Sequence, residues 1–69
     1  MLTVDARGLV CPLPLVKAKI AMEPLTAGDS LLVLATDPEA EIDLAAWADD
    51  AGHAFRIRGP GEYELTKGG

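Results

Sequence analysis

His53-Ala54-Phe55-Arg56-Ile57-Arg58-Gly59-Pro60-Gly61-Glu62-Tyr63-Glu64-Leu65 is the stretch that decides how this chain folds. Two alternating segments flank a Gly-Pro-Gly turn, the pattern of a β-hairpin. Phe55, Ile57, Tyr63 and Leu65 share one face. Arg56 and Arg58 meet Glu62 and Glu64 on the other as cross-strand pairs. A sheet with one charged, wet face has a single face left to cover. Any helices must therefore lie together on that side.

Working back from the hairpin, Gly52 is placed to stop a helix. That helix opens at Asp37-Pro38 and runs to about Ala51, with Leu44, Trp47, Ala48 and Ala51 at helical spacing and facing the core. Before it, Leu31-Leu32-Val33-Leu34-Ala35 is a continuous apolar run of strand length, as a central strand requires. An earlier helix spans Pro12 to Met22. Leu15, Ala18 and Met22 share one stripe, Val16 and Ile20 lie beside it, and Pro24 and Ala27-Gly28-Asp29 end it. Leu2 and Val4 alternate with Thr3 and Asp5 in a first short strand, and Gly8 turns the chain after it. The order predicts a single α/β domain over residues 1–69. It is a two-layer βαβαββ sandwich with a four-stranded mixed sheet and two helices on one face. The first strand-helix-strand should be a right-handed parallel crossover.

The chain has 69 residues, so any chemistry should be simple and near the surface. Its single cysteine excludes an internal disulfide framework, a CxxC redox pair and a Cys-rich zinc site, so no cofactor and no metal is expected. No apolar run approaches a membrane span, and the N-terminus shows no signal-peptide pattern, which predicts a cytoplasmic protein acting as a monomer away from membranes. The net charge is −5, and residues 23–50 carry eight acids and no base. That balance argues against strong direct nucleic-acid binding. A solvated face is the simpler reading of the acidic stretch; a docking surface for a basic protein is the sharper one.

Cys11 sits in Cys11-Pro12-Leu13-Pro14 at a helix entrance. Proline in a first helical turn loses no hydrogen bond, because those N–H groups have no partner in the helix. With Cys11 as the N-cap, the early donors of Leu13 and Leu15 and the positive helix end should favour the thiolate. Pro12 and Pro14 would hold the entrance rigid. Arg7 either adds positive charge near the sulfur or pairs with Asp5, and Gly8 serves the turn. His53, the only histidine, falls at a strand start and is expected to be structural or solvent-facing. With no base and no resolving cysteine, the fitting chemistry is a sulfur that accepts a group from one partner and hands it to another. A persulfide suits a site that stabilises anions.

Asp5-Ala6-Arg7-Gly8-Leu9-Val10-Cys11-Pro12-Leu13-Pro14 resembles the signature of the TusA/SirA-type sulfur carriers. The resemblance continues through Lys17 to Met22, Ala27-Gly28-Asp29, the apolar strand, Thr36-Asp37-Pro38, Asp43-Leu44 to Trp47, and Gly52-His53. It implies the same βαβαββ fold. It also implies that Cys11 carries sulfur as a persulfide, with Pro12 and Pro14 as supports. The donor it implies is a cysteine desulfurase or another sulfurtransferase. The acceptor is a downstream protein in tRNA thiolation, molybdenum cofactor assembly or sulfur oxidation. Position 13 departs from the pattern, with Leu13 where many carriers have a polar residue. Two other readings compete. One is a non-catalytic regulatory module that docks a protein through its acidic helix. The other is a carrier using a C-terminal thiocarboxylate on Gly68-Gly69, a tail read here as a flexible terminus.

Overall fold

A computed structural model describes residues 1–69. Strand β1 (Leu2–Ala6) leads to helix α1 (Leu13–Met22), strand β2 (Ser30–Ala35), helix α2 (Ala40–Ala51) and the hairpin of β3 (Ala54–Gly59) and β4 (Glu62–Thr66). The four strands lie in the order β1-β2-β4-β3, with β1 parallel to β2 and the other neighbours antiparallel. This is the predicted two-layer mixed-sheet sandwich.

Register explains the layering. Val4 pairs with Val33, Val33 with Tyr63, and Leu31 with Leu65, which in turn pairs with Phe55. These rows bring Val4, Leu31, Val33, Tyr63 and Leu65 onto one face, where they pack with Ala18 and Met22 of α1 and Ala40, Leu44 and Ala48 of α2. Phe55 stacks on Tyr63 with ring centroids 6.0 Å apart. The opposite face carries Thr3, Asp5, Arg56 and Glu64, as the hairpin pattern requires. Leu32 and Leu34, the other half of the apolar run, lie on that open side. They stay half-buried between Thr3 and Asp5 on one neighbour and Glu64 and Glu62 on the other.

Several expectations need correction. Helix α1 starts at Leu13 with Pro12 as its N-cap, so Cys11 lies one residue outside. Helix α2 starts at Ala40, because Asp37 is spent in the turn before it: its Oδ1 accepts from the Glu39 N–H at 2.9 Å. Val16 and Ile20 are exposed, as is Ala51 in the last turn of α2, and Leu15 and Trp47 are half-buried. Ile57 is exposed because β3 is an edge strand, and a bulge between Ile57 and Gly59 shifts Arg58 from its expected register. Arg58 still reaches Glu64 as an ion pair.

The tail is docked rather than free. Lys67 exchanges backbone hydrogen bonds with Gly28 and Asp29. Its Nζ donates to the carbonyls of Met22, Glu23 and Leu25 at 3.3, 3.2 and 2.6 Å. A cation at a helix C-terminus meets the orphan carbonyls and the negative end of the helix dipole together. The Gly68 N–H donates to His53 Nδ1 at 3.0 Å. A thiocarboxylate carrier needs a tail that can reach into another protein, and these contacts oppose that use.

Candidate functional site

Parallel neighbours β1 and β2 end at the same edge of the sheet, so the loops that follow them lie side by side. The first loop carries Cys11; the second carries Thr36 and Asp37 and leads into α2. The two are joined by side chains. The Gly8 N–H donates to Thr36 Oγ1 at 2.9 Å, and the Cys11 N–H donates to Asp37 Oδ2 at 2.6 Å. Gly8 has φ +80°, a left-handed conformation that favours glycine, so the expected turn role stands. The N–H groups of Glu39 and Cys11, which both donate to Asp37, hold its carboxyl below the usual range, the bond from Glu39 contributing most.

Arg7 forks onto Asp5. Its Nε and Nη2 each donate at 2.9 Å, and its backbone N–H adds a third bond. The result pulls the Asp5 carboxyl down to about 2. Arg7 is thus engaged away from the sulfur. Pro14 is fully buried in α1's first turn, while Pro12 is exposed beside Cys11. The Leu13 N–H is taken by the Val10 carbonyl at 2.8 Å and does not point at the sulfur.

The Cys11 thiol is exposed, and its Sγ donates to Asp43 Oδ2 at 3.0 Å. Cys11, Glu39 and Asp43 bring their side-chain ligand atoms within 4.8 Å of one another. The hydrogen bond to Asp43, aided by the negative charges of Asp43 and Glu39, pushes the thiol up to about 12. This runs against the expected thiolate: two carboxylates face the sulfur and favour its protonated form. The reading of the sequence placed Glu39 and Asp43 on an acidic face without bringing them to Cys11. Spacing of i, i+4 at the head of α2, with α1 and α2 on one side of the sheet, was the available signal.

His53 is not part of this cluster. It follows the far end of α2, a helix of 12 residues and about 18 Å. There its ring meets Trp47 edge-on, 5.2 Å between centroids. Of the groups sequence reasoning favoured, only Cys11 and its two prolines stand together at the helix entrance. The three-group cluster would also be the place for a divalent cation, with one oxygen from each acid and the sulfur; a closed structural zinc site takes four such ligands.

The comparisons with known proteins agree on the family. A family model described as "Sulfurtransferase TusA" matches residues 2–66. Over 49 residues the chain is 51% identical to the Bacillus subtilis protein named "Putative sulfur carrier protein YrkI", covering 71% of this chain and 65% of that one. Over 54 residues it is 46% identical to the B. subtilis "Putative sulfur carrier protein YrkF", covering 78% of this chain and 29% of that one. The chain therefore spans less than two thirds of either relative. The crystal structure of a SirA-like protein from Desulfitobacterium hafniense superposes with a TM-score of 0.80 at 31% identity, over 100% of both chains.

Proposed function

Because this chain belongs to the TusA sulfurtransferase family, we propose that it is a persulfide sulfur carrier working through Cys11. The observation that supports this most is the placement of the chain's one thiol: exposed, at a proline-flanked helix entrance, with no second thiol in the chain to resolve it. Sulfur arrives on the persulfide of a cysteine desulfurase or another sulfurtransferase. The Cys11 sulfur, once ionised, bonds to the donor's terminal sulfur. The donor's S–S bond breaks, and its electron pair stays on the donor cysteine as thiolate. No net oxidation occurs, and a proton given up by Cys11 is balanced by one taken up by the donor. The same exchange in reverse roles delivers the sulfur to an acceptor protein in tRNA thiolation, molybdenum cofactor assembly or sulfur oxidation. A reducing cytoplasm suits an exposed thiol of this kind.

Intact-mass measurement after incubation with a desulfurase and cysteine tests this. One added sulfur atom, absent from Cys11→Ser, is the expected outcome. Sulfur that still appears in Cys11→Ser would refute it.

A further inference from the structure

The sheet has two edges, and they differ. Strand β3 is broken by a bulge between Ile57 and Gly59, carries Arg56 and Arg58, and is followed by Pro60, all devices that discourage strand pairing. Strand β1 has none of them. Its open side follows from the ladder. The Ala35 N–H donates to the Gly61 carbonyl on the β4 side at 2.9 Å, so the alternate residues Leu32 and Leu34 of β2 serve β1. They flank Val33, the partner of Val4, so the even-numbered residues of β1 bond to β2. Thr3 and Asp5 therefore direct their N–H and C=O groups away from the sheet. The Asp5 carbonyl is met there by Lys17, whose Nζ donates to it at 3.0 Å. A groove between this edge and α1 is lined by Leu2, Val4, Lys17, Ile20 and Ala21, with Leu2 and Ile20 exposed. We propose that β1 and this groove receive an extended acidic segment of a partner protein, which adds to the sheet as a fifth strand and draws Lys17 from the Asp5 carbonyl onto its own carboxylate.

Backbone and charge together select that occupant. An open strand edge pairs its N–H and C=O groups with another extended backbone. Lys17 forms no ion pair within the chain, whose two ion pairs are Arg7 with Asp5 and Arg58 with Glu64. Asp5, the one acid at this edge, is already neutralised by the Arg7 fork. Residues 1–22 hold Arg7, Lys17 and Lys19 against Asp5 alone, in a chain whose net charge is −5. The edge thus lies in the most basic stretch of an acidic protein. A second copy meeting it edge to edge would bring another neutralised Asp5 and another Lys17, whereas an acidic segment brings the missing charge.

Register fixes the motif. In an antiparallel addition, the residues across from Ala6, Val4 and Leu2 turn their side chains to the helix side. The first is an acid for Lys17, and the next two are apolar, to lie on Ile20 and Leu2. From its N-terminal end the segment reads acid-x-apolar-x-apolar. As Lys17 moves onto the acid, the Asp5 carbonyl accepts a backbone N–H of the incoming strand in its place. The site does not use Cys11, so a partner held here leaves the thiol uncovered, and loss of the site would leave the carrier reading intact.

The test uses the full chain and a defined probe, the blocked peptide Glu-Thr-Val-Thr-Val-Thr, with Lys-Thr-Val-Thr-Val-Thr as its charge-reversed control. Amide chemical shifts and amide hydrogen exchange are followed on titration. Shifts should centre on Leu2 to Asp5, Lys17 and Ala21. The Thr3 and Asp5 amides should exchange more slowly with peptide bound, which is the mark of an added strand. At low salt the Glu peptide should bind roughly 2- to 5-fold more tightly than the Lys peptide, the size expected of one exposed ion pair. Lys17→Glu should reverse that preference, and Lys17→Arg should keep it. No binding of either peptide at millimolar concentration, a preference unchanged in Lys17→Glu, or shifts without slowed exchange at Thr3 and Asp5 would each overturn the proposal. So would protection of Thr3 and Asp5 that grows with protein concentration alone, which would make a second copy the occupant.

Discussion

Asp43→Asn is the most informative single change. It removes the charge that holds the thiol proton and keeps the side chain's size. The Cys11 thiol sits at about 12 against an ordinary value of 9.0, with the Asp43 hydrogen bond as the largest cause. At pH 7 a thiol at 12 is ionised in about one molecule in a hundred thousand, and one at 9 in about one in a hundred. Glu39 remains in the variant, and water and salt screen an exposed sulfur. The midpoint of the alkylation profile should therefore fall by roughly 1–2 pH units rather than the whole interval. Each unit raises the thiolate fraction tenfold but lowers its nucleophilicity about threefold. The net gain in rate at pH 7 is then roughly 3- to 10-fold. Iodoacetamide labelling followed by intact mass from pH 6 to pH 12 measures both numbers, and Glu39→Gln should move them less. A wild-type midpoint at or below the free-cysteine value, or an Asp43→Asn midpoint that does not fall, would refute the account of the site.

Three further outcomes follow from the fold. Lys67→Met strips the cap from the end of α1 and should cost about 1–2 kcal/mol, lowering the melting temperature by roughly 5–15 °C in a domain of this size. Gly61→Ala should be worse than an ordinary turn substitution, since Gly61 has φ +70° and an added Cβ would sit 2.6 Å from the Ala35 carbonyl oxygen; urea unfolding will show a lower midpoint. Stability should fall at both pH extremes. Asp5, at about 2, and the likewise lowered Asp29 and Asp37 favour the fold above pH 4, and that contribution is lost as pH drops through their folded values. Cys11, raised to about 12, and Tyr63, raised by burial, favour it below their unfolded values, and that contribution is lost as pH rises through their folded ones. Urea midpoints from pH 2 to pH 11 check both limbs, and Cys11→Ser should flatten the alkaline one.

The hairpin was readable because its alternation carries two kinds of information at once, strand period and the sign of each face. From a charged open face it follows that both helices share the other side, and the register of Val4, Val33 and Tyr63 bears that out. Edge effects were not readable. Ile57 has the same alternation as Tyr63, but only strand order tells that β3 lies outermost and leaves it exposed. The site was half legible. Cys11-Pro12-Leu13-Pro14 marks a helix entrance from local chemistry alone, whereas the ionisation of Cys11 depends on residues 28 and 32 positions later. Local reasoning gave the helix dipole, a short-range effect of modest size. The opposing carboxylates enter through the parallel pairing of β1 and β2, which sets two distant loops at one edge.

The hydrogen bonds from Gly8 and Cys11 to Thr36 and Asp37 have a consequence for recognition. A loop bearing an exposed reactive atom would ordinarily be free to wander, and a visiting protein would have to arrest it at a cost in conformational entropy. Here folding has already arrested it. The amides of Gly8 and Cys11, although at the surface, should exchange slowly with solvent hydrogen. On the proposed carrier role, a donor and an acceptor would each meet the sulfur at one fixed position, and a brief, shallow encounter would suffice for either.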